Sequence, residues 1–302
     1  MNTSYHVAVI GLGAMGMGAA RSCLRAGLTT YGIDLSEQAR SQLQQAGAAA
    51  VMADARPLAE TLDAVLLLVV NATQVRRILL GEEGLARHLK PGTAIMVSST
   101  IAAEEASSLA AELAQLGLPM LDAPVSGGAI KADAGEMTVM AAGADAAFDT
   151  LAPVLDAVAG KLYRVGSEPG QGSTVKIIHQ LLAGVHIAVA AEAMALASKA
   201  GVPLDLMYDV VTHAAGNSWM FENRMPRVLT GDYQARSAVD IFVKDLTLVA
   251  DTAKALRFPL PLASTALNMF LSASNAGHGQ EDDCAVIKTF SGITLPGQEE
   301  RP

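Results

Sequence analysis

Apolar residues in the first half of the chain come in short runs separated by amphipathic stretches. Runs of five to seven residues, most of them apolar and β-branched, lie at HVAVI (6–10), TTYGID (29–34), AVLLLVV (64–70), TAIMVSS (93–99), PMLDAPV (119–125), MTVMAA (137–142) and KLYRVG (161–166). Between several of them the spacing turns helical, as in AAEEASSLAAELAQL (102–116). Such strands alternating with helices predict a largely parallel sheet covered on both faces, with the last pair returning antiparallel at an edge.

Past Pro169 the pattern changes. An Ala-rich apolar stretch predicts one helix of roughly 30 residues. PLDLMYDVVTHAA, SWMFENRMPRVLTG, DIFVKDLTLVADTAKAL and PLASTALNMFLSASNAG then read as four further helices, punctuated by Gly, Asn and Pro. The expected organisation is an α/β domain over 1–167 and an all-α domain over 168–302. The long interdomain helix leads the second domain, and the final GQEERP reads as a frayed tail.

Composition narrows the function. Hydrophobic residues make up 51% of the 302, aromatics only 4%, so Ala, Val, Leu, Ile and Met must fill the cores. A formal charge of −9 with no basic run argues against nucleic acid. Cys23 and Cys284 are far apart in no metal spacing, which suits a reducing compartment. The N-terminal MNTSYHVAVIGLG lacks a basic region followed by a cleavable apolar core. The longest apolar run, near 181–198, is broken by His186 and Glu192. A cytoplasmic protein with no membrane span is expected.

The first strand runs into Gly11-Leu12-Gly13-Ala14-Met15-Gly16, and a helical pattern follows. In a strand–turn–helix context each glycine has a physical reason: Gly11 permits a tight turn, Gly13 the close approach of a pyrophosphate, and Gly16 helix–strand packing. The N–H groups of the helix start, around Ala14 and Met15, face the anion. Asp34 ends the second strand 18 residues after Gly16, where a carboxylate accepts from ribose hydroxyls and repels a 2′-phosphate. The α/β domain therefore reads as a Rossmann-type dinucleotide-binding domain, with NAD expected over NADP. Asp34 also suits a helix N-cap, and the two roles are compatible.

Residues 122–136 read D-A-P-V-S-G-G-A-I-K-A-D-A-G-E, and with GLGAMG, STVKIIHQ and FVKDL they give four motifs in order. In these the chain resembles the β-hydroxyacid dehydrogenase family, relatives of 3-hydroxyisobutyrate and tartronate semialdehyde reductases, over almost its whole length. Within that family the stretch KIIHQLLAGVH is most similar to members that oxidise a four-carbon sugar acid, L-threonate, at C2.

The resemblance implies that Ser126, Gly127 and Gly128 hold the substrate carboxylate; by themselves these residues equally suit a tight turn. It implies that Thr100 contacts the nicotinamide half of NAD, that Asn71 lines the cofactor path, and that Lys244 approaches the cofactor from the helical domain. Thr100 could otherwise cap the helix before Glu104, and Lys244 could be a solvated lysine beside an acid. Lys176 is the implied general acid/base. A free lysine is a poor base at neutral pH, but desolvation and a nearby nicotinium charge both disfavour ammonium.

On a helix, Gly172, Ser173, Lys176, His179, Gln180 and Ala183 share one stripe. Many family members carry Asn-Asn three and four residues after the lysine, whereas this chain has His179 and Gln180. That departure favours a polyhydroxylated acid, with His179 and Gln180 contacting the substrate and Gln180 and residues 217–219 helping to shape the hydroxyl pocket. A C3 hydroxyacid or tartronate semialdehyde is the alternative substrate, and a catalytically silent dinucleotide-binding module the alternative class. No third ligand joins His179 and His186 at a metal-binding spacing, so no metal is expected. Long apolar helices suggest a homodimer or homotetramer.

Overall fold

The structure is a computed structural model and describes residues 4–296; the tail GQEERP lies outside the described residues. The chain folds as two compact units, Met1–Lys176 and Ile177–Pro302. The expected boundary at 167/168 precedes the long helix, whereas the units divide within it.

The first unit alternates strand and helix: β1 (His6–Ile10), α1 (Ala14–Arg25), β2 (Thr29–Ile33), α2 (Glu37–Gln45), β3 (Ala50–Met52), β4 (Ala64–Leu67), α3 (Ala72–Leu80), β5 (Ala94–Val97) and α4 (Ala103–Gln115). Next come β6 (Met120–Asp122), β7 (Val125–Ser126), α5 (Gly128–Ala134), β8 (Met137–Ala142), α6 (Asp145–Val158) and β9 (Ala159–Gly166). Strands β3-β2-β1-β4-β5-β6 pair in parallel in that order, which reverses direction between β1 and β4. Ligands of doubly wound sheets bind at such a reversal. Strand β8 pairs antiparallel to β6 and β7 and parallel to β9, so the last two strands run against the rest.

Side-chain alternation explains why this sheet is buried on both faces. Val7 and Val9 of β1 join one core with Ala19, Ala20 and Cys23 of α1 and Phe148, Leu151 and Val154 of α6. Ala8 and Ile10 join the other, with Val75 and Leu79 of α3 and Leu109 and Leu113 of α4. A strand apolar at successive positions needs a helical layer on each side.

Helix α7 (Gln171–Lys199) leads from the first unit into the second, followed by α8 (Leu204–Thr212), α9 (Trp219–Thr230), α10 (Val239–Ala255) and α11 (Pro261–Ala273). Between Ala273 and Phe290 the chain forms a π turn (Ser274–His278) and a 3₁₀ segment (Asp283–Thr289), which the sequence pattern does not predict. Ile187, Ala191 and Met194 of α7 pack with Phe221, Met225, Phe242, Leu246 and Phe270. Rings of Phe242 and Phe270 stack at 5.2 Å. Gly184 lets α10 approach, because a Cβ there would lie 2.8 Å from Leu246. An 18-residue window of α7 has a mean hydropathy of 1.7, sufficient by composition to cross a membrane; half of that window is buried within the protein.

Candidate active-site residues

Register places the nucleotide-side residues on one edge. Ile10 pairs with Ile33 and Leu67, Leu67 with Val97, and Val97 with Asp122, so the parallel strands end level. Gly11, Asp34, Asn71, Thr100 and Ser126 all follow carboxyl ends of these strands or lie within a few residues of them.

The glycine loop is built as its spacing implies. Gly11 has φ +91°, and a Cβ on it would lie 2.8 Å from the Leu68 carbonyl oxygen. A Cβ on Gly16 would fall 1.7 Å from the Gly11 oxygen, so α1 and the loop touch backbone to backbone. A Cβ on Gly13 would meet nothing within 4 Å. Gly13 is also the N-cap of α1, which has no side-chain cap and no acid in its first turn, leaving the N–H groups around exposed Ala14 and half-buried Met15 for an anion. At the end of β5, Ser99 Oγ is buried with no hydrogen-bond partner. An open cradle at Gly13 and an orphaned hydroxyl on the same sheet edge fit a bound dinucleotide.

Asp34 ties the second strand to this loop: its Oδ2 accepts from Leu12 N–H at 2.6 Å and its Oδ1 from Ser36 N–H at 2.7 Å. Ser36, not Asp34, caps α2, so Asp34 does not take the N-cap role. Arg40, which no sequence motif singles out, lays its guanidinium on the Asp34 and Leu35 carbonyls at 2.7 and 3.0 Å. Asn71 caps α3, accepting from Gln74 N–H at 2.9 Å, while Gln74 Oε1 accepts from Val70 N–H. Thr100 does not cap α4, whose N-cap is Ala102.

Ser126 ends β7, and Gly127 and Gly128 follow with φ +133° and +71°, two successive conformations that disfavour side chains. Lys176 is 6% exposed. Asp122 anchors the same helix start, accepting from Gly170 and Ser173.

In the second unit the structure gathers Gln180 and Lys244 around an acid that the sequence marks only as a neighbour of Lys244, with His179 joined to it through Gln180. Asp245 is 2% exposed. Its Oδ2 accepts from Gln180 Nε2 at 2.5 Å, and its Oδ1 lies 2.6 Å from Lys244 Nζ. Gln180 Oε1 is 2.9 Å from His179 Nδ1. With the amide nitrogen committed to the carboxylate, its oxygen faces the ring, which puts the proton on Nδ1. A charged residue in the middle of FVKDL on an amphipathic helix was the available signal.

Residues 6–166 match the family described as the NAD binding domain of 6-phosphogluconate dehydrogenase. Residues 170–290 match that described as NAD-binding of NADP-dependent 3-hydroxyisobutyrate dehydrogenase. The chain is 72% identical to L-threonate dehydrogenase of Escherichia coli O6:H1, over 98% of each chain. The chain belongs to the β-hydroxyacid dehydrogenase family. Among solved structures, 3-hydroxyisobutyrate dehydrogenase of Salmonella typhimurium is 69% identical with a TM-score of 0.92, covering 95% of this chain and all of that one. A complex of Psf3 with NADP+ and 2-OPP is 26% identical with a TM-score of 0.87, covering 94% of this chain and all of that one. As a β-hydroxyacid dehydrogenase this protein is an oxidoreductase that uses a nicotinamide adenine dinucleotide.

Proposed function

We propose that this β-hydroxyacid dehydrogenase oxidises L-threonate at C2 to the 2-oxo acid, with NAD as oxidant. The observation that carries the reading is the 72% identity to L-threonate dehydrogenase over 98% of both chains. The first domain is assigned to the cofactor, and the helical domain to substrate selection and self-association. Asp34 supports NAD, since a carboxylate at a ribose edge repels a 2′-phosphate. The expected location is the cytoplasm.

In the proposed reaction the Ser126 hydroxyl and the Gly127 and Gly128 N–H groups hold the substrate carboxylate. A bound nicotinamide dinucleotide, held at Gly11, Gly13, Gly16 and Asp34, would supply the acceptor for the hydride leaving C2. Lys176, as the neutral amine, removes the C2 hydroxyl proton and becomes ammonium, which then donates a hydrogen bond to the new carbonyl oxygen. One turn further along α7, Gln180 is held by Asp245 and in turn orients His179, so that the pair reads hydroxyls beyond C2. Thr100, Asn71 and Lys244 are assigned to the cofactor by family resemblance.

A 3-hydroxyisobutyrate-type substrate is the second reading, favoured by the 69% identity to 3-hydroxyisobutyrate dehydrogenase of Salmonella typhimurium. A panel of C3 and C4 hydroxyacids, followed by absorbance of the reduced nicotinamide with NAD and NADP in parallel, separates the two. Turnover confined to threonate and NAD is expected; an inert threonate with active hydroxyisobutyrate defeats the C4 assignment. Lys176→Ala is expected to bind NAD normally and to lose about three orders of magnitude in kcat, within the range of general acid–base catalysis. Unchanged turnover in that variant removes the lysine from the chemistry.

A further inference from the structure

The first turn of α7 is held from the sheet by an acid 48 to 51 residues earlier in the chain. Asp122 closes β6 and is wholly buried. Its Oδ2 accepts from the N–H groups of Gly170 at 2.8 Å and Ser173 at 2.7 Å. Its Oδ1 accepts from the Ser173 hydroxyl at 2.6 Å. Burial pushes the Asp122 carboxyl up from its usual range, opposed by these hydrogen bonds.

Below this contact the backbones meet. A Cβ on Gly172 would lie 2.4 Å from the Asp122 carbonyl oxygen and 2.6 Å from that of Met140, so the turn rests on β6 and β8 themselves. An ordinary N-cap satisfies N–H groups and leaves the helix able to turn about its axis. The Ser173 hydroxyl removes that freedom, because it fixes one side chain's direction as well as the backbone's height.

Lys176 is three residues on from Ser173, about 4.5 Å along the axis and about 60° around it. A helix is stiff over one turn, so the position of the amine follows from the position of Ser173. We propose that Asp122 and Ser173 are positioning residues that set the height and azimuth of Lys176. The proposal rests on the reading of Lys176 as the proton-transferring group. Neither residue touches the reacting atoms.

The test compares Ser173→Ala, Asp122→Asn and Lys176→Ala, measuring kcat, KM for NAD and for the hydroxyacid, and the number of NAD molecules bound per chain. Misplacing a reacting group by about 1 Å costs about a hundredfold in rate. Ser173→Ala and Asp122→Asn are therefore expected to lose about tenfold to a hundredfold in kcat. Both KM values should stay within about twofold, with one NAD still bound per chain. Full turnover in Ser173→Ala overturns the proposal, as does a loss that travels with weaker or substoichiometric NAD binding, which marks a merely structural contact. If Asp122→Asn does not fold, Ser173→Ala carries the test alone. Turnover retained in Lys176→Ala is a different failure: it removes the lysine reading and the positioning role with it. Loss in Lys176→Ala beside full turnover in Ser173→Ala removes the positioning role only.

Discussion

A methyl group added at Gly13 meets no heavy atom within 4 Å, whereas one added at Gly16 falls 1.7 Å from the Gly11 carbonyl oxygen. Gly13→Ala should therefore fold with an unchanged melting temperature, yet raise KM for NAD about tenfold or more, because its methyl occupies the space the pyrophosphate needs. Gly16→Ala must push α1 off the loop, and soluble expression and thermal stability should both fall sharply. Equal stability for the two variants contradicts the backbone contact. Asp34→Ala removes the carboxylate and leaves Arg40 docked on the neighbouring carbonyls, where a guanidinium accommodates a 2′-phosphate. It should raise KM for NAD and bring in NADP turnover; strict NAD use in Asp34→Ala defeats the assignment. The glycines were legible in the sequence because their spacing alone dictates what each must do. Asp122 and Asp245 were not, although both lie inside recognisable motifs, because their partners, Ser173 and Gln180, are 51 and 65 residues distant.

At the scale of elements, period decides what could be read in advance. Strands β4 and β5 are apolar at every position, as is β1 after His6, and they needed no tertiary information. Strand β3 is three partly buried residues at the sheet edge, too short to show a pattern. The division inside α7 was hidden for a similar reason: Gly172 and Ser173 belong to the first unit through contacts with β6, not through composition. The 3₁₀ segment Asp283–Thr289 has no helical period, and what holds it to α9 is a pair of buried acids. Arg224 binds both oxygens of Asp283 at 2.7 and 2.9 Å, and burial pushes that carboxyl up to about 6. Arg227 grips Asp282 at 2.6 and 2.8 Å. Burial raises the Asp282 carboxyl, but the Arg227 guanidinium and the Arg236 N–H more than offset it and hold it below its usual range. A folded-state value below the unfolded one contributes stability above the unfolded value and loses it as pH falls through the folded one. Arg227→Gln should cost about 3 kcal/mol at pH 7, as breaking a buried pair does. The gap to the parent protein should close below about pH 4. Urea unfolding across that range checks it; a constant gap means the pair is not its source.

For the whole molecule, the unexplained surface is on α7. Val175, Leu182, Val189 and Leu196, spaced by seven, are exposed, with Ile178 beside them. A stripe at that spacing along a helix of 29 residues, about 43 Å long, is more apolar surface than a monomer normally leaves in water. Lipid is one candidate cover, since the helix is long and apolar enough to span a bilayer. Its opposite face argues otherwise. Ile187, Ala191 and Met194 are already buried in the helical core, and a helix placed in lipid would have to abandon that packing. A second copy of the chain would cover the stripe without disturbing the core, and the seven-residue spacing suits a helix packed side by side with its twin. Light scattering coupled to size exclusion should find a dimer or larger assembly at micromolar concentration. Leu182→Glu combined with Leu196→Glu should convert it to monomer, with far-ultraviolet circular dichroism unchanged because neither side chain contributes to the core. A parent protein that runs as a monomer, or a charged variant that keeps its assembly, rejects this face as the interface between copies.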